Sequence, residues 1–345
     1  MSFSDANAMA VAEQVDRLVT TEIGGKFRTV TTRPIIRELY DAARVQSGGA
    51  PLSYEIAKTL MRACLPGMHV LLTTGFTLDL WMQGEADGPP GIAVLARTLE
   101  RAFDVKPLLL TEQAHRDLVA ATVRAAGLRE YKPEEAASHP RRFSMVDLSL
   151  DMDEARIAAA GLFDKFRIAA VIAVEKPGAN DSGVYHNSAG RDISHLCGKI
   201  EPYLEQAARR GIPAISLLDL GNEVGAGAIA AVARNMPNGK LCACPCGGGN
   251  VATSVVTHVF PTFVSNWGAY AIAATLAFMR DQPALLHTPE LAAEVLQACG
   301  RAGGISAKEG YSSGTVDRVP ASIHVQISEL LQYMILAARD ELTDH

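Results

Sequence analysis

The sequence predicts an α/β fold: a mostly parallel or mixed central sheet with helices on both faces, in a Rossmann-like layering. Apolar runs typical of strands alternate along the chain with segments whose apolar residues recur at helical spacing. The run 168–174, IAAVIAV, is apolar at every position, as expected of a strand buried on both faces of a parallel sheet. Polar, glycine-containing loops follow several of these runs, and open α/β sheets bind their ligands in such loops.

Strands and helices are predicted to alternate over most of the chain. The predicted strands are 69–76, 107–110, 143–150, 168–174, 213–218 and 255–263. The predicted helices are a region that ends at 46–49, followed by 51–64, 92–103, 112–126, 152–166, 199–210, 265–280, 289–299 and 322–342. Since no linker or internal repeat interrupts this series, we expect an N-terminal helical extension, 1–47, and one α/β domain, 48–345.

Composition and charge restrict the class of protein. The chain has 345 residues, 48% of them hydrophobic and 20% charged, which is typical of a soluble globular protein. Its net charge of -6 argues against nucleic acid as a partner, and its apolar runs are too short to cross a bilayer. The first twenty residues lack the basic and apolar regions of a signal peptide. Six cysteines in a chain of this length do not indicate a disulfide framework, so we expect reduced thiols and a cytoplasmic location.

The loop after the predicted strand 168–174 is the first candidate site. It begins with Glu175 and Lys176 and is dense in side chains that donate or accept hydrogen bonds. A solvated surface loop is the alternative interpretation. The other candidates in this loop are Asn180, Asn187, Arg191 and Asp192.

A second acidic stretch follows the predicted strand 213–218. Asp219, Asn222 and Glu223 lie within five residues of one another, among glycines. Carboxylate and amide oxygens suit Mg²⁺ or Mn²⁺. A turn with Glu223 at the start of a helix is the simpler alternative for this stretch alone. Because parallel strands bring their loops to one edge of the sheet, we expect a divalent cation between the two loops, with four ligands: Glu175, Asp192, Asp219 and Glu223.

Two further stretches carry possible chemistry. Cys242, Cys244 and Cys246 alternate, but a structural zinc site usually has CxxC pairs or histidines, so we expect these cysteines to alternate along a strand and Cys244→Ala to leave metal content unchanged. The predicted helix 265–280 opens with Ser265 and Asn266, either of which could cap it, and its free N–H groups could hold a carboxylate.

Seven motifs, in this order along the chain, resemble the carboxy-terminal domain of the D-glutamate cyclase family. They are GGAPLSYEIAK, TTGF, DGPPG, EKPGANDSGVYHNSAGRDIS, DLGNEVGAG, VSNWGAYA and SSGTVD, and they cover nearly all of the chain from about residue 48. The resemblance implies an α/β fold with a metal-dependent acidic cavity, and an activity that converts D-glutamate to 5-oxo-D-proline with loss of water. The CACPC stretch lies outside this pattern.

Lactam formation requires a deprotonated α-amine and an electrophilic γ-carboxyl group. A divalent cation, Mn²⁺ or Mg²⁺, would polarise the carboxyl group, and a carboxylate, or Lys176 if burial disfavours its ammonium form, would accept the proton. The alternatives are a metal-dependent hydrolase such as a phosphatase, and a binder of an acidic metabolite without activity. We also expect a small acidic amino acid as substrate and a possible homodimer. The predicted catalytic residues are Glu175, Lys176 and Asp219, and the predicted substrate-binding residues are Asn180, Asn187, Arg191, Asn266 and Ser313.

Overall fold

A seven-stranded parallel sheet forms the centre of the protein. The computed structural model describes residues 4–23, 35–136, 139–236, 239–307, 309–312 and 314–343. Along the sheet the strands follow the order β5-β6-β4-β1-β7-β8-β9, and all of the pairings are parallel. The predicted α/β class is therefore confirmed. The strands are β1 (His69–Thr73), β4 (Lys106–Thr111), β5 (Arg129–Glu130), β6 (Arg142–Asp147), β7 (Ile168–Val174), β8 (Ala214–Leu218) and β9 (His258–Pro261), and a separate hairpin pairs β2 (Thr77–Leu78) with β3 (Gln83–Gly84).

Helices cover the sheet. Two of them, α6 and α7, pack against each other, whereas α4, α5 and α9 form a second group with α1, α3, α10 and α11 packed around it. Helix α9 is buried from Ser265 to Phe278 because it is apolar on all sides. The helices are α1 (Asp5–Val19), α2 (Ile35–Gln46), α3 (Leu52–Ala63), α4 (Pro89–Phe103), α5 (Arg116–Ala125), α6 (Met152–Lys165), α7 (Glu201–Arg209), α8 (Ala230–Ala233), α9 (Ser265–Met279), α10 (Pro289–Arg301) and α11 (Ala321–Thr343).

The strand order creates a crevice at the carboxyl edge of the sheet. After β1 the chain adds β4 and then β6 on one side, and it crosses back to add β7, β8 and β9 on the other. Connections on the two sides therefore leave β1 and β7 in opposite directions, which is the position where doubly wound sheets bind ligands. Every residue of β1 and β7 is buried, so these two strands form a rigid base for the loops that follow them.

The N-terminal helices pack onto the α/β core. Helix α1 contacts α3 and α9, and the Phe263 amide donates to the Val19 carbonyl over 3.1 Å. The buried Asp16 accepts hydrogen bonds from the Leu52 amide, 2.7 Å, and the Tyr40 hydroxyl, 2.6 Å, so it caps the start of α3. The predicted boundary between 1–47 and 48–345 stays a prediction, but α1 shares one hydrophobic cluster with the α/β core.

The structure corrects several local expectations. Residues 242–246 form turns in a loop, not a strand, since Pro245 lacks an N–H group and three glycines follow at 247–249. The strand predicted at 255–263 is limited to β9, and the hairpin β2–β3 and the edge strand β5 are too short to show a periodic pattern. Among the described helices, none is long and apolar enough to cross a membrane.

Candidate active site

Three buried carboxylates meet at the crevice. Asp87 lies in the connection between β1 and α4, Glu175 directly follows β7, and Asp219 directly follows β8. One oxygen from each lies within 4.8 Å of the other two, and the three residues are at most 6% exposed. Asp87 was not selected from the sequence, although the motif DGPPG at the start of a helix marks the position of this residue.

Backbone pairing joins the loops after β7 and β8. Pro177 and Glu223 form an antiparallel bridge, and the Val224 amide donates to the Lys176 carbonyl over 2.8 Å. Glu175 itself has a φ of 48°, a left-handed backbone conformation that is unfavourable for residues other than glycine. Strain of this kind is concentrated at functional sites, where the surrounding structure holds it.

The start of helix α9 completes the base of the site. The amides of Ser265 and Asn266 donate to the two oxygens of Asp87, both over 2.9 Å, and the Ser265 hydroxyl donates to Glu175 over 2.5 Å. The expectation that Ser265 or Asn266 caps this helix is thus wrong, because the cap is a carboxylate from another loop. The N–H groups at this helix start do hold a carboxylate, but it is that of Asp87, so these two amides are not available to a substrate carboxylate.

The Asn266 side chain supports the loop that carries Asp87. Its oxygen accepts hydrogen bonds from the amides of Gly88, 3.0 Å, and Gly91, 2.7 Å, and its nitrogen donates to the Ala86 carbonyl over 3.2 Å. With these three hydrogen bonds the Asn266 side chain holds the loop in position. The predicted contact of Asn266 with substrate stays a prediction.

The carboxylates raise one another's proton affinity. Burial, followed by the charges of Asp219, Glu223 and Asp87, raises the pKa of Glu175 well above its usual value. Burial and Asp219 raise the pKa of Glu223 in the same way, and its carboxylate also accepts a 2.7 Å hydrogen bond from the Gly221 amide. A buried group of carboxylates needs protons or a cation to offset this repulsion.

Lys176 points away from this group to an acidic residue at the end of β4. Its buried ammonium forms an ion pair with Glu112 and also donates to the Gly75 carbonyl over 3.4 Å. The Gly198 amide donates a further 2.6 Å hydrogen bond to Glu112. Although burial raises the pKa of Glu112, the charges of Lys176 and His115 and the hydrogen bonds from Lys176 and Gly198 together lower it below its usual value. The predicted catalytic role of Lys176 stays a prediction.

Two predicted substrate-binding residues join the loop after β7 to the hairpin β2–β3. The Asn187 side-chain amide donates to Asp79 over 3.1 Å, and Arg191 forms a 2.9 Å ion pair with the same carboxylate. The Arg191 side chain is exposed to solvent. Their contacts with substrate stay predictions.

The remaining predicted residues are distributed as follows. Asp192 lies outside the carboxylate group: it is exposed, and its carboxylate accepts a 2.8 Å hydrogen bond from the Ser194 amide in a local turn. The oxygen of Asn180 accepts from the amides of Ser182 and Val184 within its own loop. Ser313 lies outside the described residues. The four ligands expected from the sequence are thus not all together, and Asp87 joins Glu175 and Asp219 instead of Asp192.

The donor set fits a hard divalent cation. Three carboxylate oxygens from three loops surround one point, and Mg²⁺ and Mn²⁺ prefer such ligands, completed by water or substrate oxygens. In addition, the side-chain oxygen of Asn222 is buried next to Glu223 and accepts no hydrogen bond from the residues that the structure describes. Asp87, Glu175 and Asp219 would hold the ion.

Fold and site together define a doubly wound α/β domain with a buried group of carboxylates at its switch point. The chain belongs to the D-glutamate cyclase-like family, whose C-terminal domain model matches residues 31–332. Over 260 residues it is 28% identical to the human protein described as D-glutamate cyclase, mitochondrial. This match covers 72% of the chain but only 39% of the human protein. The family resemblance seen in the motifs is thereby confirmed.

Proposed function

We propose that this protein is a metal-dependent cyclase, a carbon–oxygen lyase that converts D-glutamate to 5-oxo-D-proline and water. The buried group of Asp87, Glu175 and Asp219 at the switch point carries the proposal, because its ligand chemistry agrees with the acidic, metal-dependent cavity that the family resemblance implies. A location in the cytoplasm stays a prediction. It is consistent with six free thiols, whereas the name of the human relative assigns that protein to mitochondria.

The reaction forms one bond and breaks one. The α-nitrogen attacks the γ-carboxyl carbon, a C–N bond forms, and the C–O bond to one γ-oxygen breaks. That oxygen leaves as water with the two protons that the nitrogen gives up as it changes from an ammonium group to a lactam N–H. A bound Mn²⁺ or Mg²⁺ would supply the positive charge that makes the γ-carboxylate electrophilic. With the cation offsetting the charge of the neighbouring carboxylates, Glu175 would be ionised and could accept a proton from the α-ammonium group, while the Ser265 hydroxyl donates to one of its oxygens.

Orientation of the substrate would come from the exposed side of the site. Arg191 and Asn187 lie on the loop after β7, and the guanidinium group of Arg191 can bind the α-carboxylate of the substrate. We propose that Arg191 and Asn187 bind the α-carboxylate while they keep their contacts with Asp79. The buried pair of Lys176 and Glu112 would keep the loop beside Glu175 in place.

The decisive assay measures 5-oxoproline formed from D-glutamate and from L-glutamate, with Mn²⁺, with Mg²⁺ and with a chelator. We expect turnover of the D-isomer that depends on the cation, and we expect Asp219→Asn and Asp87→Asn to lower it by at least a hundredfold without loss of folding. The matched control is Asp192→Asn, which removes an exposed carboxylate nearby and should retain activity. Turnover insensitive to chelator, or phosphate release from esters in place of lactam formation, would overturn the proposal.

A further inference from the structure

A second group of metal-ligating side chains lies on the loops outside the carboxylate site. The sulfurs of Cys242, Cys244 and Cys246 converge with the ring of His186, and one ligand atom from each lies within 4.8 Å of the other three. His186 precedes Cys244 by 58 residues, so the sequence does not show that it completes the set. From the sequence alone a metal is not expected here, because no histidine or second cysteine pair accompanies these cysteines. In the folded chain His186 supplies the fourth ligand.

The distances match a tetrahedral ion site. The sulfur of Cys242 lies 3.5 Å from that of Cys244 and 3.4 Å from that of Cys246. The Nε2 atom of His186 lies 3.1 Å from the sulfur of Cys244 and 3.6 Å from that of Cys246. A tetrahedral zinc with bonds of about 2.3 Å to sulfur and about 2.0 Å to nitrogen has sulfur–sulfur edges of about 3.8 Å and sulfur–nitrogen edges of about 3.5 Å. The group therefore needs only a slight expansion to accept the ion. A disulfide would require a sulfur–sulfur distance of about 2.05 Å.

The surrounding loops hold the four ligands in place. His186 is fully buried, and its carbonyl accepts a 3.1 Å hydrogen bond from the Asn222 side chain. Gly190 passes so close to the cysteine loop that a Cβ atom would lie 2.9 Å from the Ala243 nitrogen, and that amide donates to the Gly190 carbonyl over 2.8 Å. Loop 239–257 is thus packed against the loop after β7 through its backbone as well as through the ligands.

Hydrogen bonds to sulfur are the second feature of a thiolate site. The Gly248 amide donates to the sulfur of Cys246 over 3.5 Å, and the Asn180 side-chain amide donates to it over 3.4 Å. Donors of this kind orient metal ligands and stabilise their negative charge.

We propose that His186, Cys242, Cys244 and Cys246 bind one zinc ion in a closed, structural Cys3His site. Four protein ligands leave no coordination position for substrate, so this ion joins two loops and takes no part in the reaction. The loop after β8, which carries Asp219, is in contact with this site, since the Asn222 side chain donates to the His186 carbonyl over 3.1 Å. The proposal does not depend on the activity proposed above, because both the ligands and the readout are different.

Metal analysis of the full chain tests the site. We expect one zinc per chain by mass spectrometry after purification in chelator-free buffer, and its release when the thiols are modified by a mercurial. Cys244→Ala and His186→Ala should lower zinc content at least tenfold. Cys299→Ala is the matched control, since Cys299 is a buried free thiol outside the group, and it should retain the metal.

Replacement of zinc by cobalt provides a readout that does not depend on a variant that folds. We expect Co²⁺ to give the intense thiolate charge-transfer and tetrahedral bands of a site with three sulfurs, even if Cys244→Ala is insoluble. The proposal is overturned if the wild type contains no stoichiometric metal and takes up neither ion. A cobalt spectrum without thiolate bands, a stoichiometric iron content, or zinc that persists in Cys244→Ala would also overturn it.

Discussion

Asp87 and Asn266 hold each other in position. The Asn266 amide donates to Asp87 over 2.9 Å at the start of α9, and the Asn266 side chain accepts from the amides of Gly88, next to Asp87, and of Gly91 in the first turn of α4. The buried helix α9 is therefore attached directly to the loop between β1 and α4. Through this contact a rigid element of the fold determines where the carboxylate of the cation site lies.

Asn266→Ala is expected to lower both stability and activity. It leaves the buried amides of Gly88 and Gly91 without an acceptor, and the free energy of unfolding should fall by about 3 kcal/mol, since each unsatisfied group costs about 1–3 kcal/mol. Urea unfolding and 5-oxoproline assays measure the two effects. Asn187→Ala is the control for stability alone, because its side chain contacts Asp79 in a partly exposed loop, and it should cost about 1 kcal/mol or less. Equal losses of stability in the two variants would contradict the special role of Asn266.

Gly88→Ala is expected to disrupt the site. Gly88 has a φ of +107°, and a Cβ atom there would lie 2.1 Å from the Thr74 hydroxyl and 3.1 Å from the Val174 carbonyl. Overpacking and backbone strain together should cost about 3 kcal/mol or more. The control is Gly127→Ala, at a φ of +90° with no atom within 4 Å of the added Cβ, which should cost about 1 kcal/mol. Thermal unfolding of the two variants gives the comparison, and a Gly88→Ala protein as stable as the control would refute the close contact.

Lys176→Met is expected to be strongly destabilising. It leaves the carboxylate of Glu112 buried without its ion pair, which typically costs about 3–5 kcal/mol. The double variant Lys176→Met with Glu112→Gln should recover most of this loss, because no buried charge is left alone. Lys165→Met is the control for an exposed pair, Lys165 with Glu134, and should cost less than about 1 kcal/mol. If the double variant is stable but inactive while D-glutamate still binds, Lys176 or Glu112 has a catalytic role in addition to a structural one.

Asp16 makes folding stability sensitive to pH. Burial raises its pKa from 3.8 to about 6, so between about pH 4 and pH 6 the folded chain binds more protons than the unfolded chain. The contribution of Asp16 to stability is therefore fully present below pH 4 and is lost as the pH rises to 6. The stability of wild type minus that of Asp16→Asn should fall by about 3 kcal/mol between pH 4 and pH 7. Urea unfolding at both values measures the difference. A difference that does not change with pH would show that Asp16 does not titrate in this range.

Much of the fold follows from local patterns. A fully apolar segment such as 168–174 can only be a buried strand or a buried helix, and its length and β-branched residues favour the strand. Once β7 and β8 are recognised as parallel strands, the polar stretches that directly follow them are expected to lie together, because a parallel sheet places them at one edge. Glu175 and Asp219, in the predicted cation site, could therefore be selected from the sequence.

The sequence by itself determined the α/β class, the order of the longer strands and helices along the chain, and the two acidic residues at the ends of β7 and β8. Only the tertiary structure decided that Asp87 joins them instead of Asp192, and that His186 joins the cysteines. The physical reason is the range of the interactions. Periodicity and turn chemistry act between residues a few positions apart, whereas these ligand sets are formed by strand order and by the close contact of loops far apart in the chain, such as Gly190 with Ala243.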